Sequence, residues 1–306
     1  MVTEQTINRL KELIDEKRLL IDEPMDKHTT FRVGGRADVY ISVKSRSELK
    51  ELLGILKEEE VPYYVIGNGS NLLVSDKGYR GVIIEIGSLM AGIEATEDGL
   101  RAEAGVLLST LGMTACRMGL KGLEFATGIP GSVGGAMVMN AGAYGGEMSQ
   151  VVEEVVLFDP EKMEELTLSN SEMDFGYRRS IVKDKKLIVT AVEFSLEKGD
   201  EKDIKAVIDE LAKKRRDKQP LEYPSAGSTF KRPEGFYAGA LIEESGLKGY
   251  SVGGAQVSEK HAGFVINKGK ATALDVYCLI REVKEQVYAD SGIMLEPEVI
   301  MLGDFS

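Results

Sequence analysis

Gly128-Ile129-Pro130-Gly131-Ser132-Val133-Gly134-Gly135-Ala136, continued by Asn140-Ala141-Gly142-Ala143-Tyr144-Gly145-Gly146, is the stretch on which the reading of this chain turns. Glycine and proline recur here more often than turns alone require, in a segment that is otherwise apolar. Glycine permits positive φ and lets another group come close to the backbone. Two readings compete: backbone packed on backbone, or a loop whose amides face the phosphates of a bound molecule. An upstream loop, Val65-Ile66-Gly67-Asn68-Gly69-Ser70-Asn71-Leu72-Leu73, follows a short apolar strand and shifts the balance. Alone, it is explained by a tight turn. A nicotinamide-type Rossmann loop does not fit, because the third glycine is missing and no clean strand–helix follows. Together, the two loops predict a pyrophosphate held between amide-lined turns, one from each of two domains.

Working outward from these loops, the 306 residues predict two or three domains. Thr3–Leu20 reads as a surface amphipathic helix using Ile7, Leu10 and Ile14. Asp38–Val43 reads as a strand, followed by a helix from Ser47 to Glu59 opened by a capping box of Ser45 and Glu48. Its buried face is Leu49, Leu52, Leu53 and Leu56. Val61–Ile66 completes a β–α–β unit. Gly81–Ile86 and Gly92–Ala104 are strands, the second folded into a hairpin at Glu97-Asp98-Gly99. A helix over Leu107–Gly119 precedes the glycine run. A second hairpin follows, Val151–Phe158 with Met163–Leu168, turning at Asp159-Pro160. After a strand at Leu187–Leu196 comes a charged helix, Lys202–Asp217, with Ile204, Val207, Ile208 and Leu211 inward. The remainder holds the loop Ser225–Arg232, short helices, a strand at Gly263–Asn267, a helix over Thr272–Ala289 and a last strand at Glu296–Leu302.

The net charge of −12 argues against a nucleic-acid partner, which wants a basic face. It leaves room for a small anionic ligand held by local cations. The start of the chain lacks the long apolar core of a signal peptide or membrane span. Cys116 and Cys278 lie far apart in apolar helical stretches and read as buried reduced thiols, so the protein is expected in the cytoplasm. His28 and His261 read as structural, neither standing at metal-ligand spacing, and no metal is expected.

Thr29-Thr30-Phe31-Arg32-Val33-Gly34-Gly35, Gly67–Leu73 and Gly128–Ala136 resemble the FAD-binding domain of the vanillyl-alcohol-oxidase (PCMH) type. Their order and spacing resemble those of the UDP-N-acetylenolpyruvoylglucosamine reductase family, over nearly the whole chain. The resemblance implies an α+β, three-domain flavoenzyme. A two-part FAD-binding domain would occupy residues 1–75 (β-α-β) and 76–198. An α+β substrate domain would occupy 199–306, its C-terminal strand returning to the active site. It implies FAD, bound tightly and without a covalent link, and NADPH as hydride donor. The cofactor would be held by Arg32, Gly67, Asn68, Gly69, Ser70, Asn71, Leu72, Gly128, Ile129, Pro130, Gly131, Ser132, Gly134, Gly135, Asn140 and Gly142. The substrate would be UDP-N-acetylglucosamine enolpyruvate, reduced in peptidoglycan precursor synthesis by a monomer with no nucleic-acid or membrane partner.

Three further matches imply the chemistry. Phe175-Gly176-Tyr177-Arg178-Arg179-Ser180 resembles the family's arginine motif, Ala226-Gly227-Ser228-Thr229-Phe230-Lys231-Arg232-Pro233 its proton-donor motif, and Leu295-Glu296-Pro297-Glu298-Val299 its C-terminal motif. They assign Arg178, Ser228 and Glu298 as catalytic. The residue types suit the reaction. A permanently charged guanidinium stabilises an enolate-like dianion. A carboxyl in an apolar setting, kept protonated, donates a hydrogen bond. A hydroxyl, though a weak acid, can protonate a strongly basic carbanion. Glu296 shares a strand face with Glu298, and the motif selects Glu298. Tyr177, Lys218, Arg232 and Gln256 are implied substrate contacts, Lys218 being drawn from the cluster Lys213, Lys214, Arg215, Arg216 and Lys218. The short span Ile181–Lys186 excludes the tyrosine loop of the family's longer class. The competing readings are an oxidase of the same flavin superfamily and a nucleotide-binding module without chemistry.

Overall fold

The computed structural model describes residues 2–306. The chain builds two compact units, one from Met1–Ile21, Val39–Asn68 and Gly81–Arg215, the other from Asp22–Asp38, Gly69–Arg80 and Arg216–Ser306. These limits do not coincide with consecutive segments cut at 75 and 198, because the chain passes repeatedly from one unit to the other.

In the first unit the N-terminal helix is shorter than its sequence suggests. It covers Glu4–Leu13, capped by the Thr3 hydroxyl. Ile14 is already extended, Asp15 accepts the Lys17 amide in a local turn, and a strand begins at Leu19. A side chain that offers the backbone an alternative bond ends the helix there. Leu10 and Ile14 are buried as expected. The helix Arg46–Glu58 buries Leu49, Leu52, Leu53 and Leu56 and is capped by Ser45. The capping box is only half formed. Glu48 accepts the Lys44 amide at 2.8 Å and takes both arms of Arg18, at 2.6 and 2.8 Å, in place of the Ser45 amide.

A four-stranded sheet sets Tyr79–Glu85 between Arg36–Ser42 and Tyr63–Ile66, with Leu19–Pro24 on the far side of Arg36–Ser42. Tyr63–Ile66 runs parallel to Tyr79–Glu85, Ile66 opposite Glu85, and releases the chain into the first glycine loop. The second sheet has five antiparallel strands in the order Glu164–Ser169, Val152–Asp159, Ile188–Ser195, Gly99–Glu103, Ile93–Ala95. Both predicted hairpins are present. One hydrophobic core runs through this unit, from Leu10 to Leu196.

Inside the glycine run lies a helix, Val133–Met139, that the sequence reading left unassigned. Gly134 and Gly135 disfavour it locally by about 1 kcal/mol each relative to alanine. Its apolar residues Val133, Ala136 and Met137 are buried and its N-terminus is capped by Ser132, so packing overrides propensity. The charged helix covers Glu201–Lys218. Ile204 and Ile208 are buried with Cys116, whereas Val207 is 45 % exposed and does not face inward as expected.

In the second unit the helix Ala273–Ser291 covers a small antiparallel sheet of Ser251–Val252, Ala255–Val257 and Val265–Asn267. Thr272 and Asp275 form a reciprocal capping box, and the Asp76 carboxylate accepts the Ala273 and Leu274 amides. Cys278, on this helix, is only partly buried. The last strand is shorter than predicted. Ile300–Leu302 pairs in parallel with Leu72–Val74, whereas Glu296–Glu298 runs beside Thr229–Lys231. The chain changes partners at Val299.

Candidate active site

The first unit locks the glycine loops together. The Asn68 side-chain amide donates to the Pro130 carbonyl at 2.6 Å. A Cβ at Gly67 would lie 2.1 Å from the Ser132 hydroxyl, so a side chain there would have to displace Ser132. The loops were expected from two domains; Gly67-Asn68 and Gly128–Gly135 belong to one compact unit, and Gly69–Asn71 of the first loop to the other. The second loop is also a poorer nest of amides than its glycines suggest. The Val133 and Gly134 amides bond to Val106 and Ala104, and the Gly135 amide is bonded to the Ser132 hydroxyl. Ser132 with Gly67 and Asn68 instead borders a cavity of about 310 Å³, whose other walls include Ile86, Gly105 and Val106. That volume is in the range of small-molecule sites. Gly67→Ala would push Ser132 from its capping position and is expected to lower FAD affinity roughly tenfold, a cost matching one lost cap. Flavin retained through gel filtration at limiting FAD measures this, and wild-type retention would sink the assignment.

Asn140, expected to touch the cofactor, also ties two segments of the chain together. Its side chain accepts the Ser149 amide at 2.9 Å and donates to the Gly176 carbonyl at 3.2 Å. It thereby holds the turn Gly176-Tyr177-Arg178-Arg179, closed by two bonds between the Gly176 and Arg179 backbones. Arg178 sits in this turn at φ 55°. A non-glycine residue there is uncommon, and Asp174 in the same segment shares it at φ 47°. Ser180, fully buried, ties the end of the turn to Val138. The two arginines separate cleanly. Arg179 is exposed and paired with Asp174 and Asp184, while Arg178 is half-buried with its guanidinium 5.4 Å from the Tyr177 ring centre.

Arg215 was missed as an individual residue within its basic cluster. Lys218 is exposed at the helix end, whereas Arg215 is half-buried. Its guanidinium lies 3.1 Å from where a Gly128 Cβ would be. Burial lowers its pKa from the ordinary arginine value, with the Tyr144 phenol opposing that shift. The signal was in the sequence: Arg215 continues the stripe Ile204, Ile208 and Leu211 at helical spacing.

The second unit gathers the other assigned residues. Gly69 has φ 60°, and a Cβ on it would lie 1.9 Å from the His28 carbonyl oxygen. Thr30 bonds the Gly69 and Ser70 carbonyls, which joins the Thr29–Gly35 segment to the first loop, with Arg32 exposed at φ 54°. Leu72 is buried in its strand. Ser228 is exposed, although Ala226, Thr229 and Phe230 around it are buried. The Glu298 amide donates to the Thr229 carbonyl at 2.8 Å. Asn71, expected at the cofactor, donates its side-chain amide to the Glu298 carbonyl at 3.1 Å. Of the two glutamates, Glu296 is exposed and bound to Lys231, and Glu298 is half-buried.

Arg232 stacks over Tyr237, 4.0 Å from the ring centre. Gln256 donates to the Gly249 carbonyl and the Ser251 hydroxyl, each at 3.1 Å. Its carboxamide oxygen is buried with no hydrogen-bond partner among the described residues, as is that of Gln219, which the sequence reading passed over. A buried acceptor left unpaired is costly. No cluster of three or more His, Cys, Asp or Glu suited to a metal lies among the described residues, and no helix there is long and apolar enough to cross a membrane.

A glycine-loop unit of this kind, built on a parallel-paired strand and a five-stranded antiparallel sheet, defines a flavin-binding protein, and an FAD binding domain profile matches residues 37–161. The profile described as UDP-N-acetylenolpyruvoylglucosamine reductase, C-terminal domain, matches residues 219–302. UDP-N-acetylenolpyruvoylglucosamine reductase of Caldanaerobacter subterraneus subsp. tengcongensis is 51 % identical over 304 residues, covering 99 % of this chain and 100 % of its own. That of Clostridioides difficile is 49 % identical over 96 % of this chain and 97 % of its own. The crystal structure of the enzyme from Thermus caldophilus superposes with a TM-score of 0.80 at 38 % identity, covering 93 % of this chain and 98 % of that one. This chain belongs to the UDP-N-acetylenolpyruvoylglucosamine reductase family.

Proposed function

We infer that this chain reduces UDP-N-acetylglucosamine enolpyruvate to UDP-N-acetylmuramate with NADPH, as an FAD-dependent oxidoreductase of peptidoglycan precursor synthesis. FAD, when bound, carries the hydride between NADPH and the methylene carbon of the enolpyruvyl group. The residues present fit that cofactor: a loop where a side chain at Gly67 would displace Ser132, a cavity bordered by Ser132 and Asn68, and the half-buried cation Arg215 beside Gly128. Gly67, Asn68 and Ser132 would hold it, and Arg215 would neutralise negative charge there.

The remaining work falls to the chain's own side chains. Hydride addition at the methylene carbon leaves negative charge on the neighbouring carbon and its carboxylate. Arg178 offsets that charge with a fixed guanidinium. Ser228 delivers the proton to the carbanionic carbon, and Glu298 donates a hydrogen bond to the carboxylate. Lys218, Arg232 and Tyr177 bind the nucleotide diphosphate and sugar. Gln256 and Gln219 offer buried oxygens to the substrate's N–H or O–H donors. The observation that carries this reading is the pairing of extended segments that sets exposed Ser228 next to the strand of half-buried Glu298. The enzyme acts as a monomer in the cytoplasm on a small substrate, and without nucleic acid, the last of which the net charge of −12 supports.

The test is anaerobic flavin absorbance. NADPH should bleach the oxidised band, and after removal of excess NADPH, UDP-N-acetylglucosamine enolpyruvate should restore it. Bleaching without restoration would overturn the substrate assignment. Failure to bind FAD would overturn the cofactor assignment.

A further inference from the structure

We propose that Thr229 is a positioning residue for the proton-transfer half of the reaction, setting the Ser228 hydroxyl against the Glu298 strand. The proposal rests on the catalytic reading of Ser228 and Glu298 given above. Thr229 is fully buried, and each of its polar groups is engaged. Its amide donates to the Gly263 carbonyl at 2.9 Å, its hydroxyl accepts the Val265 amide at 2.9 Å, and its carbonyl accepts the Glu298 amide at 2.8 Å. One residue thus joins three extended segments, carrying Ser228, Val265 and Glu298.

The geometry around it gives the junction its purpose. On its N-terminal side, Ala226 is buried, and Gly227 has φ 76° with open space where a Cβ would be, so backbone conformation sets the turn between Ala226 and Ser228. Ser228 itself is exposed. What holds it is its bond to the next residue. On the other side, the Glu298 peptide is gripped twice, its amide by Thr229 and its carbonyl by Asn71. The parallel pairing of Ile300–Leu302 with Leu72–Val74 begins just beyond.

Two backbone bonds, to Gly263 and Glu298, hold the serine segment between its neighbours. The Thr229 hydroxyl adds a third bond, to the Val265 amide, which limits rotation of that segment about its axis. The β-branched side chain of Thr229 has few χ1 choices, which keeps this tether short and fixed. Proton delivery to carbon is sensitive to placement, and an error of about 1 Å can cost on the order of 10²-fold in rate.

Thr229→Val keeps the shape and removes the hydroxyl. In the holoenzyme it is expected to slow restoration of the flavin band by substrate on the order of 10²-fold, while bleaching by NADPH stays within about twofold. The solvent deuterium isotope effect on restoration should rise, and hydrogen exchange at the Val265 and Glu298 amides should quicken. Thr229→Ser, which retains the acceptor, should recover all but about threefold of the rate. If the valine variant does not fold, Thr229→Cys offers a weaker acceptor and should slow restoration roughly tenfold with NADPH bleaching unchanged. Equal slowing of both phases, or a lowered melting temperature with normal restoration, would overturn the proposal by showing a merely structural role. Ser228→Ala run in parallel separates the two ideas. If Ser228→Ala is severely slowed and Thr229→Val is not, the positioning proposal alone falls. If neither is slowed, the catalytic reading falls and takes the positioning role with it.

Discussion

Ser228→Ala is expected to slow substrate-driven restoration of the flavin band by on the order of 10³-fold, within the range that one positioned acid contributes. Bleaching by NADPH should be unaffected, because that half of the reaction moves a hydride and needs no proton from serine. Ser228 is the exposed member of a buried run, so truncation removes no packing and leaves no buried group unpaired. A stability loss therefore cannot account for the expected slowing. Ser228→Cys should recover part of the rate, since a thiol is a stronger acid of similar reach. Stopped-flow absorbance of both phases makes the measurement. A loss below tenfold in the alanine variant would remove Ser228 from the proton-transfer step.

Arg178→Gln is expected to lower kcat by on the order of 10³-fold, with Arg178→Lys losing about 10²-fold, as for other groups that stabilise developing negative charge. Lysine keeps the charge but not the planar fork that matches a carboxylate. The backbone does not confuse the comparison. Arg178 lies at φ 55° in its turn, and glutamine and lysine meet the same left-handed cost as arginine. Arg179→Gln serves as the control and should change kcat less than twofold, because exposed pairs such as those with Asp174 and Asp184 contribute little. Steady-state kinetics with circular dichroism of each variant would decide it. An Arg179 effect equal to that of Arg178 would show that the turn as a whole, and not one guanidinium, is responsible.

The elements were legible wherever a local pattern sufficed. The leucine face of the helix Arg46–Glu58 and both hairpins follow from periodicity and turn chemistry carried within a few residues. The helix Val133–Met139 was not legible, because two glycines argue against it locally and the burial of Val133, Ala136 and Met137 outweighs them. The end of the first helix was likewise set by a side-chain turn at Asp15 that competes with helical bonding. Among the proposed site residues, family motifs in the sequence nominate Arg178, Ser228 and Glu298. They did not distinguish Arg215 from its basic neighbours, nor reveal Gln219, whose interest lies in an oxygen that folding buries unpaired.

By itself the sequence determined the composition of the elements, the family motifs and the chemical types available for the reaction, since these depend on residue identity and near neighbours. Tertiary structure decided which backbone amides of the glycine run were already spent, and that Asn140 and Asn71 brace the segments of Arg178 and Glu298 through their side chains. It also decided that Glu296 is drawn off by Lys231 while Glu298 is pinned beside the serine segment. A hydrogen bond depends on where two groups meet in space, and groups more than 200 positions apart, such as Asn71 and Glu298, meet only once the chain has folded.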